Sequence, residues 1–151
     1  MSESRIRRLA PVVDMALEEE RKAAAMLGQC QQQLDDASAR LRDLEYYSSE
    51  YAKGWAQRGA QGVGRDWLMN YQRFMAQMEV AIEQQRQTVT WHGQSIERAR
   101  DNWRQRYQRL EALRKLIDKY RQEAQARADK QEQKLLDELS QRAHAQRTNN
   151  P

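Results

Sequence analysis

A chain of 151 residues with 39% hydrophobic and 32% charged residues, a mean hydropathy of -1.10 and a formal net charge of +4 is too polar for an ordinary domain built around one compact core. No run approaches the ~20 apolar residues that a membrane span requires. Ala, Leu, Gln, Glu and Arg dominate and the only prolines are Pro11 and Pro151, which leaves two classes: a disordered chain, or helices with a narrow apolar seam and wide solvated faces.

The N-terminal residues Arg5, Arg7 and Arg8 lead into Val12, Val13 and Asp14 without a signal-peptide hydrophobic stretch. The single Cys30 rules out an internal disulfide framework and points to a reducing compartment. The predicted address is the cytoplasm, with any membrane contact peripheral.

The first predicted element is a helix over about 11–54. Its heptad a and d positions read Ile6, Leu9, Val13, Ala16, Glu20, Ala23, Leu27, Cys30, Leu34, Ala37, Leu41, Leu44, Ser48, Tyr51 and Trp55, interrupted only by Glu20 and Ser48. Pro11 suits a first helical turn but not a helix interior, so residues 1–10 are expected to fray or to form a kinked extra turn.

A loop over about 55–64 follows, marked by Gly54, Gly59, Gly62 and Gly64 with polar Gln57, Arg58 and Gln61 between them. It lacks the Gly-Lys-Ser/Thr of a phosphate cradle and joins helix to helix, so it reads as a turn.

The second helix is predicted over about 65–143, roughly 115 Å at ~1.5 Å per residue, with a frayed tail over 144–151. Its seam runs Leu68, Tyr71, Met75, Met78, Ile82, Gln85, Val89, His92, Ile96, Ala99, Trp103, Arg106, Leu110, Leu113, Ile117, Tyr120 and Ala124. Two registers of this length exclude disorder. The short loop favours an antiparallel pair. With Trp55 opposite Leu68, Leu34 faces Val89, Leu27 faces Ile96, Ala16 lies near Trp103 and Tyr107, and Ile6 meets Ile117. Beyond Ala124 the register fails at Arg127, Gln131 and Lys134. The predicted fold class is therefore all-α: a long antiparallel two-helix coiled-coil hairpin, one domain over 1–151, with a C-terminal helical overhang of about 25–30 residues.

Glu20 and Arg106 intrude on the seam one turn from direct opposition, and are expected to pair and fix register, the alternative being that both side chains snorkel outward. Cys30 opposite His92 is two ligands short of a zinc site, so no metal and no cofactor is expected. The carboxylates Glu18, Glu19, Glu20, Asp35 and Asp36 sit on solvated faces without the dehydrated concavity that acid–base chemistry needs. Neither an enzyme nor a small-molecule substrate is expected.

Around the loop lie Tyr46, Tyr47, Tyr51, Trp55, Trp67, Tyr71, Phe74, Met75 and Met78. The seam accounts for Trp55, Tyr71, Met75 and Met78, together with Leu68. Tyr47, Phe74 and Ala81 fall off it, and the only Phe of the chain is expected to be at least partly exposed, as in a protein-binding patch.

The stretch Asn70-Tyr71-Gln72-Arg73-Phe74-Met75-Ala76-Gln77-Met78-Glu79-Val80-Ala81-Ile82-Glu83-Gln84-Gln85 resembles the N-Y-x-x-F-x-x-x-L-x-x-A-I-x-x-Q/H signature of the flagellar export protein FliJ family. Met78 stands where Leu is common and Gln85 where some members have His. Length and helix–loop–longer-helix order fit as well. The resemblance implies a cytoplasmic component of the flagellar type III export apparatus, similar to the rotary stalk of F-type ATPases. It would be peripheral to the inner membrane and serve flagellum assembly and motility. The implied partners are the hexameric export ATPase, the cytoplasmic domain of the export gate, and export chaperones. Carried onto this chain, the gate-binding residues are Leu44, Tyr47, Tyr51, Phe74, Met78, Ala81 and Gln85, and the stalk end comprises residues 1–20 with the arm from about 110 onward. A monomer is expected.

Two rivals remain. One is a generic dimeric coiled-coil scaffold. The other is a nucleic-acid-binding helix, since residues 98–121 hold nine basic and three acidic side chains. That stretch is interleaved with seam residues and acids, unlike the nearly pure positive charge of a basic-region helix, so no nucleic acid is expected.

Overall fold

The computed structural model describes residues 2–149, which form two helices, α1 (Ser2–Gly59) and α2 (Arg65–Asn149). They pack against each other as an all-α hairpin, and the described residues contain no strand.

Both helices are longer than the sequence predicts. α1 starts at Ser2 and carries Pro11 in its interior, where residues 1–10 were expected to fray or kink. The proline removes the amide that would bond the carbonyl of Arg7, but both residues are exposed and water can serve that group. Seam contacts hold the turn before it: Ile6 and Leu9 are half-buried, and the Arg5 guanidinium lies 5.4 Å above the Tyr120 ring. α1 also passes the predicted end at 54, because Gly54 alone does not stop a helix. α2 continues through the predicted tail to Asn149, with Thr148 Oγ1 donating to the carbonyls of His144 and Ala145. Met1, Asn150 and Pro151 lie outside the described residues.

The break between the helices is five residues, 60–64. Ala60 N donates to the Ala56 carbonyl, Gln61 N to Arg58 and Gly62 N to Gly59, closing α1 with tightening turns. Gly62 has a φ of +87°, the left-handed region where a side chain is strained. Gly62→Val is expected to cost about 1–2 kcal/mol in urea unfolding. An unchanged midpoint would mean that the loop adopts another path at no cost.

Two compact units can be distinguished. One combines the described parts of Met1–Arg21 and Gln105–Pro151, and the other is Lys22–Arg104. In the first, Ala16, Leu110 and Ile117 are buried; in the second, Ala23, Ala37, Ile82, Ile96 and Ala99. Every one of these was assigned to the seam. The buried apolar residues of α1 are all alanines, whereas α2 supplies Ile and Leu beside Ala99, the small-against-large filling that a two-helix seam requires. The antiparallel register also holds within each unit, with Arg5 at Tyr120 in the first, and Ala37 at Gln85 and Tyr51 at Phe74 in the second.

In the first unit α2 outruns α1. Ser2 and Glu3 lie beside Ala124, Arg127, Ala128 and Gln131, and every residue from 125 to 149 is exposed. The overhang carries its own local bonds, Gln125 to Asp129 and Gln133 to Asp137. Leu135, Leu136 and Leu139 stand in solvent on one side of it.

Candidate protein-binding site

Near the loop the seam departs from the expected heptads. Trp67, not Leu68, packs on Trp55, with ring centroids 4.7 Å apart, and Tyr71 joins them at 5.2 Å from Trp55. Leu68 is 46% exposed. On α1, Ala52 is half-buried in place of Tyr51, which is 48% exposed. The cause is visible in the spacing. Trp67 stands four residues before Tyr71 and Phe74 three after it, so all three share one face, and Phe74 is half-buried together with the heptad residue Met75, which widens the inward stripe. Gly59 faces the larger indole, and a β-carbon there would meet the Trp67 ring at 3.5 Å, an ordinary van der Waals contact. Trp67 Nε1 is buried without an acceptor, an unfavourable feature that the ring contacts must outweigh.

This wider stripe changes the character of the predicted patch. Phe74 turns half-inward and packs on Tyr51 at 4.6 Å, while Tyr47 remains 56% exposed and touches Tyr46 edge-on. Leu44, Met78 and Ala81 are half-buried. Gln85 is engaged within the hairpin, its Nε2 donating to the Ala37 carbonyl at 2.9 Å. The structure therefore brings Tyr51 and Phe74 together as one aromatic shoulder, with Tyr47 beside it. Leu68, which the heptad pattern placed in the seam, and Met69, which lies off it, add apolar surface near the loop.

A cross-helix ion pair forms at the polar seam residue Arg106. Arg106 Nη1 lies 3.2 Å from the Glu19 carboxylate, and Arg109 reaches the same group at 3.6 Å. This ion pair is made by the residue before Glu20, and Glu20 has an interaction of its own. The pair is about two-fifths exposed on both sides, so solvent screening holds its contribution to roughly 0–1 kcal/mol. Cys30 and His92 are half-buried, and His92 Nδ1 has no hydrogen-bond partner. No group of three or more metal-binding side chains occurs among the described residues. The paired carboxylates Asp35 and Asp36 accept bonds from Gln31 and Gln32 one turn away.

Four arginines of the basic stretch have acidic partners within the helix. Arg100, Arg104, Arg114 and Arg121 each pair with the acid three residues earlier, Glu97, Asp101, Glu111 and Asp118. No helix among the described residues is long and apolar enough to cross a membrane.

Two packed helices, an aromatic shoulder near the loop and an unpaired helical overhang define a coiled-coil hairpin whose distinctive surfaces are suited to contact with other proteins. The family model described as "Flagellar FliJ protein" matches residues 4–149. The "Flagellar FliJ protein" of Salmonella typhi is 33% identical over 135 residues, covering 89% of this chain and 92% of that protein. The protein of the same description from Escherichia coli strain K12 is 32% identical over the same shares. The chain belongs to the FliJ family of flagellar proteins, as the stretch from Asn70 to Gln85 indicates.

Proposed function

We propose that this protein works in flagellar protein export as a stalk-like coiled coil that links the export ATPase ring to the export gate and recruits export chaperones. The observation that carries the reading is the aromatic shoulder of Tyr47, Tyr51 and Phe74. It clusters exposed Tyr46, Tyr47 and Tyr51 against half-buried Phe74, and a contiguous group of aromatic side chains is how a binding surface differs from a solvated helix face with single apolar residues. In this reading the gate's cytoplasmic domain contacts that shoulder, with Leu44, Met78, Ala81 and Gln85 supporting it from the seam. The overhang of α2 enters the ATPase ring, and an acid of α1 acting with Arg106 helps keep the two helices in register. The protein works in the cytoplasm, reaching the membrane only through the export apparatus.

The pairing of most arginines in 98–121 with neighbouring acids weighs against a nucleic-acid partner, whose binding draws on uncompensated charge. Tyr47→Ala combined with Phe74→Ala is expected to weaken binding to the purified gate domain by about a hundredfold, the scale of two lost aromatic anchors. Helicity by circular dichroism should be nearly unchanged. Wild-type affinity in the double variant would sink the gate assignment.

A further inference from the structure

An open groove of about 430 Å³ runs along α1 in the Lys22–Arg104 unit, lined by Tyr47, Glu50, Tyr51, Gly54, Trp55 and Arg58. Four of these, Tyr47, Tyr51, Gly54 and Arg58, follow one another at steps of four, three and four residues. That is the spacing of a coiled-coil seam, yet it is not the seam that faces α2, which on this stretch of α1 uses Ser48, Ala52, Trp55 and Gly59. α1 therefore carries a second seam on its shoulder, and no segment of the described chain fills it.

Gly54 is the centre of this second seam. A glycine inside a helix weakens it relative to alanine, and nothing within the hairpin calls for one here. Its φ is not positive, and a β-carbon built on it meets nothing within 4 Å. The space above it is open, flanked by the rings of Tyr51 and Trp55. A small residue between larger ones at heptad spacing is what allows the backbone of another helix to approach closely. A strand, with its period of two, has no match to these steps.

The charges at the groove define what kind of helix fits. Glu50 is held by Lys53 at 3.5 Å. Arg58, in the last turn of α1, has no ion-pair partner among the described residues. The uncompensated charge of the groove is thus positive and lies toward the loop.

We propose that the groove seats an amphipathic helix of a partner protein, with apolar side chains packing between Tyr47 and Tyr51 and over Gly54, and a carboxylate facing Arg58. The proposal rests on reading the loop-proximal face as the contact for the export gate. It adds the shape and charge of what docks there, and it brings in Gly54 and Arg58, which the family signature does not contain.

The test is a titration of the purified cytoplasmic domain of the export gate onto the full chain, comparing wild type with Gly54→Leu, Arg58→Gln and Phe74→Ala. Because the space over Gly54 is empty, leucine fills the groove without disturbing the hairpin, which circular dichroism verifies. Gly54→Leu is expected to weaken binding by about tenfold or more. Arg58→Gln is expected to weaken it and to flatten its dependence on salt. If Gly54→Leu binds like wild type while Phe74→Ala does not, the groove is unused and this proposal falls while the gate reading stands. If both variants bind like wild type, the gate reading falls as well. An unchanged salt dependence in Arg58→Gln overturns the acidic helix. Self-association of the wild type that Gly54→Leu abolishes would assign the groove to a second copy of this chain and overturn it too.

Discussion

A chain ending at Lys130 is expected to lose capture by the hexameric export ATPase while melting at nearly the temperature of the intact protein. The removed segment, residues 131–149 with the two that follow, is exposed along its entire described length. The hydrogen bonds described for it run within α2, from Gln133 to Asp137 and from Thr148 to His144 and Ala145. Surface segments without cross-helix packing contribute little to stability, usually within about 0.5 kcal/mol per side chain. The same segment exposes Leu135, Leu136 and Leu139 on one side of the helix. Burying those three in a ring would gain about 1.5–3 kcal/mol for each leucine fully enclosed. Their loss is therefore sufficient to take a micromolar complex beyond detection. A pull-down in which the shortened chain binds the ATPase as well as wild type would end the assignment of the overhang to the ring.

Leu110→Ala is expected to be the most damaging single substitution in the Gln105–Pro151 portion of the hairpin, costing about 2–5 kcal/mol. Leu110 is 2% exposed, the largest fully buried side chain in the described structure. It lies in the unit that also buries Ala16 and Ile117. Alanine on α1 cannot expand to fill the space, and a hairpin of two helices has no third element to collapse inward. The cavity is therefore expected to persist, at the upper part of that range, or to admit water. Chemical unfolding followed by circular dichroism measures the loss. Leu135→Ala, on the exposed overhang, is the control and should shift the curve by no more than about 0.5 kcal/mol. Equal effects of the two substitutions would mean that the overhang is packed in solution.

How much of this was legible in the sequence depends on what sets each feature. The seam from Ile82 to Ala124 is governed by heptad spacing alone, and the buried residues Ile96, Ala99, Leu110 and Ile117 all fall where that spacing puts them. Near the loop, ring size competes with period. Trp67 displaces Leu68 because two indoles and a phenol bury more surface together than Trp55 and a leucine can. Phe74 shares that widened stripe, so the phenylalanine expected to be at least partly exposed is half-buried against Tyr51. The contact of Glu19 with Arg106 was similarly out of reach, since Glu19 is not an a or d position and a long guanidinium side chain reaches more than one carboxylate. The groove at Gly54 left a trace that spacing alone could have revealed: Tyr47, Tyr51, Gly54 and Arg58 form a second heptad run. One glycine and one arginine in that run disguised it, because the template sought only apolar residues.

The two helices are interrupted within the described chain only at residues 60–64, and this dictates which length changes the gene can accept. One residue added to α1 rotates the residues on one side of it by about 100° relative to those on the other, turning Ala16, Ala23 or Ala37 away from the partners that bury them. A matching change at the opposite level of α2 would be needed to restore the fit, and two coordinated insertions are rare events. Tolerated insertions and deletions should therefore gather in the five-residue break and in the overhang, where no register is kept. Between those places, members of this lineage can exchange residues freely but cannot easily change how many they have.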